Sequence, residues 1–206
     1  MAFTQETYPL PPLIVCSGAS HFHAVRTPPD ADLVPSLIEA AKQAMSKTSA
    51  QSAFVLTAVG SLTEVTLRMA ATDKDNDTSH GTTNDTGKKR EKSSAEQDAA
   101  VTCMAETSSL SIQTFKKHFE IVSLVGTFSR DGGKHLHMSV SDSEGVVLGG
   151  HLVSGKIFTT LELVLGTIQN VAFTREIDEK TGYLELTVQE ATTQAEQRTL
   201  LETEGI

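Results

Sequence analysis

Tryptophan is absent from this chain, and its 206 residues include only two cysteines and two tyrosines. Two cysteines do not make a disulfide framework of the kind that staples small secreted domains. Cys16 reads as a small buried apolar residue and Cys103 as a loop thiol, a usage that suits reducing surroundings. Long hydrophobic runs are missing too. One of the most apolar, Leu161 to Ile168, falls far short of the roughly 20 residues that a membrane-crossing helix needs. The N-terminus shows no basic region followed by an apolar signal segment. The chain is therefore expected off the membrane and inside the cell, cytoplasmic or nuclear. Basic charge is also in deficit: 17 Lys and Arg against 26 Asp and Glu leave a formal charge of −9. Proteins that hold DNA draw most of their non-specific affinity from basic groups on phosphates, so direct DNA binding is disfavoured. The single basic cluster, Lys88-Lys89-Arg90-Glu91-Lys92, lies in a polar stretch and reads as a solvated linker. Ser17-Gly18-Ala19-Ser20-His21 is a small polar loop without a phosphate-binding fingerprint.

What is present is one hydrophobic domain, with 38% apolar residues overall, interrupted by a polar segment. From about 73 to 99 there is no large apolar residue, so that stretch cannot bury enough surface to offset its ordering entropy and reads as a disordered insertion. The organisation expected is a flexible N-terminus over 1–10, a single domain over 11–190 and a C-terminal tail over 191–206. Leu13 to Cys16 and Phe22 to Val25 read as one strand or two short ones. Asp32 to Ala44 has helical spacing through Leu33, Leu37, Ile38 and Ala41, with Asp30 or Asp32 as its cap. Ser52 to Val59 and Leu62 to Met69, separated by Gly60-Ser61, read as a hairpin, the second strand carrying one slip in its period-2 alternation. Phe119 to Ser129, the apolar segment from Thr159 to Phe173 and Tyr183 to Val188 add further strands. The sum is an α+β fold of six to eight strands, a mostly antiparallel sandwich flanked by one or two helices.

Lys134-His135-Leu136-His137, with His151 fourteen residues further on, is where chemistry concentrates. His135, His137, Ser139 and Ser141 alternate with Leu136, Met138 and Val140, the signature of a strand with one polar and one apolar face. Asp142-Ser143-Glu144-Gly145 has the composition of a three-residue hairpin loop, with Gly145 at the left-handed position. Counting outward from that loop opposes Asp142 to Val146, Val140 to Leu148 and His137 to His151. Directly opposed side chains have Cβ atoms about 5 Å apart and diagonal ones about 7–8 Å. Three imidazoles can then converge on a cation held about 2.0–2.1 Å from each nitrogen. A one-residue slip, for which Gly149-Gly150 offers a bulge, would turn His151 to the other face. The competing reading is three solvated strand histidines. His21 and His23 form a second such pair and read as strand-surface residues; His80 falls in the insertion.

Phe119-Glu120-Ile121-Val122-Ser123-Leu124-Val125-Gly126-Thr127-Phe128, His135 through Asp142, Gly145, Gly149-Gly150-His151-Leu152 and Glu162-Leu163 resemble the PPC family, also called DUF296. Asp30-Ala31-Asp32-Leu33 and Ala58 through Arg68 resemble the family's helix entry and its Ala-x-Gly-x-Leu-x-x-Val-x-Leu-Arg segment. The resemblance runs from about Leu13 to Val188, interrupted by the insertion. It implies an α/β sandwich on a mostly antiparallel sheet, assembled as a homotrimer. In stand-alone members three histidines matching His135, His137 and His151 are thought to hold a metal, usually zinc. Plant members replace these histidines, carry AT-hooks and place Gly-Arg before the Phe-Glu-Ile segment. This chain has no Arg-Gly-Arg hook and has Lys117-His118 at that place, so it resembles the prokaryotic type.

Three neutral nitrogens leave a tetrahedral zinc, or another divalent metal, one open position for water or a small anionic ligand. Glu162 is the candidate base, outer partner or fourth ligand, with local pairing as the alternative. Three functions follow: a trimeric metal-containing module that binds a ligand or organises an assembly, a metal-dependent hydrolase or lyase, and a DNA-associated regulator acting through partners. The first is favoured, since no separate nucleophile or phosphate loop accompanies the histidines.

Overall fold

A computed structural model describes residues 14–70 and 111–191. The insertion at 73–99, with His80 and the basic cluster, lies outside the described residues, as do Cys103, residues 1–10 and the tail beyond 191. The elements run β1 (Ser20–Thr27), α1 (Leu33–Thr48), β2 (Ser52–Arg68), β3 (Ile112–Ser129), β4 (Lys134–Ser141), β5 (Val147–Ile168), β6 (Val171–Ile177) and β7 (Leu184–Glu190). Every pairing between these strands is antiparallel. The seven strands and one helix among the described residues agree with the expected α+β architecture.

The main sheet has the order β1-β5-β2-β3-β4, and β4 also pairs with β5. That extra pairing closes β2, β3, β4 and β5 into a ring. Closure is possible because β5 is 22 residues long: its first part pairs β4, its middle pairs β2 and its end pairs β1 and β2. Helix α1 packs chiefly on β5 and β2, burying Leu33, Leu37, Ala41 and Met45, a spacing of three to four that puts them on one helical stripe. Leu62, Val65, Phe119, Leu124, Leu136, Val140, Leu152 and Ile157 complete the core, each at 2% exposure or less. Full burial of such a side chain contributes about 1.5–3 kcal/mol. A separate two-stranded sheet, β6-β7, stands beside the ring.

Several expectations need correction. The hairpin at Gly60-Ser61 does not exist: β2 runs unbroken through it. Gly60 stands opposite Leu161 on β5, and a Cβ there would lie 2.2 Å from the Thr160 carbonyl oxygen. The glycine therefore marks a close approach of two backbones, not a turn. The slip in alternation nearby is a bulge between Leu62 and Glu64, against both β3 and β5. The helix extends to Thr48 and ends where Ser49 turns left-handed at φ 55. Asp32 occupies the N-cap position without a side-chain cap bond, its carboxylate instead lying 3.4 Å from Lys156 Nζ, while Asp30 precedes it at φ 61. Ile14 to Cys16 form no strand, and Cys16 is only half-buried. The apolar run from 159 to 173 is broken by a turn at Gln169-Asn170 that separates β5 from β6.

Candidate metal centre

The β4–β5 hairpin has the expected register. Asp142 N–H donates to Val146 O at 3.1 Å and Gly145 N–H to Asp142 O at 3.0 Å, with Gly145 at φ 78. The Asp142 side chain fastens the turn: one carboxylate oxygen accepts the N–H groups of Glu144 and Val146, both at 2.9 Å. The other accepts Lys117 Nζ from β3 at 2.6 Å. Lys117, with the two turn N–H groups, holds the Asp142 carboxyl below the usual carboxylate range. Its contribution is thus present above the ordinary pKa of about 3.9 and is lost as pH falls through the depressed value. Asp142→Ala is expected to lower the Tm at pH 7, and thermal melts at falling pH should show the gap to the parent chain closing below about pH 4.

That turn sets His137 directly opposite His151, with no register shift across Gly149-Gly150. Leu136 and Met138, at 1% and 3% exposure, point to the core, so the alternating histidines face outward. His135 Nε2 lies 3.1 Å from His137 Nε2. The ring centroids are 5.0 Å apart for His135 and His137, 5.1 Å for His135 and His151, and 5.5 Å for His137 and His151. One ring nitrogen from each comes within 4.8 Å of the other two. His151 Nδ1 is buried without a hydrogen-bond partner. A buried polar atom of this kind is costly unless something satisfies it, and a metal ion is one group that does. Burial first, then Arg68 and the neighbouring histidines, push His151 down to about 4. Burial, then Arg175, lowers His135 in the same direction. Both rings are thus neutral at physiological pH, the form that donates a lone pair to a metal.

Further side chains around the histidines escaped the sequence reading. Arg68 at the end of β2 is the direct cross-strand partner of His151. Arg175 on β6 donates from Nη2 to Thr127 Oγ1 at 2.9 Å, and its Nη1 lies 3.5 Å from His135 Nδ1. Together with Lys134, Tyr183 and Glu185 they line a cavity of about 710 Å³ with the three histidines on its wall. Arg68 closes the Ala58–Arg68 segment that resembles the family, but nothing local to it tells that β2 ends beside His151.

Glu162 is not brought to this cluster. It sits exposed on β5, eleven positions past His151, or roughly 35 Å of extended strand, opposite Arg26 and Val59. Within this chain it therefore serves neither as ligand nor as outer partner of the histidines. His23 accepts or donates a hydrogen bond at Thr167 Oγ1, 3.3 Å away, and neither it nor His21 joins the cluster. His118 stacks on Phe158 with centroids 4.1 Å apart.

Residues 16–169 match the family model described as the Plants and Prokaryotes Conserved (PCC) domain. The chain belongs to this family. Among solved structures, the PCC domain here is similar to a plant- and prokaryote-conserved (PPC) protein from Pyrococcus horikoshii, at 19% identity and a TM-score of 0.57, over 88% of this chain and 100% of that one. It is also similar to a metal-containing protein from Archaeoglobus fulgidus, at 18% identity and a TM-score of 0.58, over 85% of this chain and 99% of that one. At these identities the likeness shows a common fold. A curated relative, the bifunctional protein GlmU of a Synechococcus strain, is 33% identical over 186 residues, 90% of this chain and 22% of that protein. This PCC chain thus spans about a fifth of the length of that relative. No helix among the described residues is long and apolar enough to cross a membrane.

Proposed function

We propose that this PCC-domain chain is a metal-holding module in which His135, His137 and His151 bind one divalent cation, zinc by preference, and which binds a ligand or organises an assembly without turnover. The observation that carries this reading is the convergence of three imidazole nitrogens within 4.8 Å from a register that a well-built turn determines. The donor set fits the ion: neutral imidazoles suit zinc and its neighbours, and three of them leave a fourth position open. The metal-containing relative from Archaeoglobus adds support. A bound ion would supply Lewis acidity and a fixed positive charge; the chain supplies the three nitrogens and the cavity around them. Elemental analysis of the purified chain tests the reading, with about one zinc per chain expected and a metal-free protein as the contrary result.

A metal-dependent hydrolase or lyase is the second reading. Glu185, a carboxylate lining the cavity, is the residue it would need as base, and a panel of esters and phosphoesters separates the two. The third, a DNA-associated regulator acting through partners, has the chain's acidity against it.

Assembly as a homotrimer belongs to the same proposal. Phe22, Leu56, Val59, Val122 and Val125 are each at least 50% exposed, apolar surface that a neighbouring copy would cover. Light scattering is expected to give about three times the chain mass of 22.1 kDa; the mass of one chain would remove this part of the proposal.

A further inference from the structure

The cavity beside the histidines carries a charge pattern that names its ligand class, an inference that rests on the metal-module reading. Neutral imidazoles bring no negative charge to offset a divalent ion. Around them stand two half-buried guanidiniums, Arg68 and Arg175, and the ammonium of Lys134. Among the described residues neither arginine forms a salt bridge, and Glu185 is the only carboxylate lining the cavity. In a chain of net charge −9, such a concentration of positive groups around a cation site calls for an anion.

We propose that Arg175 and Arg68 hold an oxyanion, a carboxylate or a phosphate, beside the cation. Guanidinium is suited to this: its planar fork gives paired, charge-assisted hydrogen bonds to both kinds of oxyanion. The chemistry of His135 points the same way. A neutral imidazole that gives its Nε2 lone pair to a metal carries its proton on Nδ1. Arg175 Nη1, 3.5 Å from that Nδ1, can only donate, so it has no acceptor there; Glu185 and Asp131 are the carboxylates that act on it, and neither forms a salt bridge with it. Arg175 comes from β6, beyond the residues 16–169 that match the family model. The second sheet therefore adds a specificity element to a histidine cluster built by the first.

Calorimetric titration of the zinc-loaded full chain with inorganic phosphate, and separately with acetate, at constant ionic strength tests this. Saturable binding of at least one is expected, and which one binds tells phosphate from carboxylate. Arg175→Gln and Arg68→Gln are each expected to weaken it by about tenfold or more with zinc content unchanged. If a glutamine variant sheds zinc, the corresponding lysine variant keeps the charge, loses the fork and carries the same comparison. Zinc in place but neither anion bound, or affinity unchanged in either variant that retains zinc, overturns the inference. A parent chain that holds no metal fails on the elemental analysis of the same sample, so that failure of the underlying reading, which takes this inference with it, is told apart.

Discussion

His137→Ala is expected to take the zinc content of the purified chain from about one per molecule to near none, while leaving the fold intact. The two halves of that expectation have separate causes. His137 is the middle member of the cluster, 3.1 Å from His135 through their Nε2 atoms and directly opposite His151; without it, two nitrogens on a diagonal remain. Loss of an outer partner of a metal ligand typically costs about 10–100-fold in affinity, and loss of a ligand itself should exceed that. The ring is exposed, so truncation leaves no core cavity, and the stability of the metal-free variant should stay within about 0.5 kcal/mol of the parent stripped of its metal. Zinc returned to the stripped parent should then raise its Tm, adding about 2.7 kcal/mol of stability at a free concentration a hundredfold above Kd, and leave the variant unmoved. His23→Ala, outside the cluster, is the control that keeps its metal. A variant that retains full zinc would remove His137 as a ligand.

The hairpin that presents His135, His137 and His151 was legible because every feature that sets it is local. Alternation identifies the strand, Asp142 and Gly145 identify the turn, and a turn of known length fixes which residues oppose one another. The arginines were not legible, for a physical reason. Arg68 reaches His151 only through the β2–β5 pairing, whose register shifts at four places, and each shift displaces every residue after it by one or two steps relative to the partner. Arg175 reaches His135 through packing between two sheets, which no spacing rule encodes. Gly60 misled in a third way. A glycine followed by serine has the composition of a turn, yet what it meets there is the Thr160 carbonyl of a neighbouring strand. Glu162 follows the hairpin on the same apolar segment, and the length of β5 carries it away from the histidines to stand opposite Arg26 and Val59.

Gly126→Ala is expected to destabilise the chain by about 3 kcal/mol or more and to weaken zinc binding at the same time. Gly126 lies on β3 opposite Leu136 at φ 145, a conformation that a residue with a Cβ adopts only under strain. A Cβ there would fall 2.0 Å from the His135 carbonyl oxygen and 2.9 Å from Leu136 Cα, both backbone atoms that no rotamer change can move aside. β3 and β4 must part at this point. Leu136, 1% exposed on the core side, is then pulled from its packing, and His135 on the outer side is carried away from His137 and His151. Leu136→Ala separates the two consequences: its cavity costs about 2–5 kcal/mol, but the His135 backbone stays in place, so the folded variant should bind zinc as the parent does. Denaturant melts give the stabilities, and competition with a chelator gives the zinc affinities. Parental stability in Gly126→Ala would mean that β3 does not press on His135, and the strand pairing that orients the first ligand would have to be redrawn.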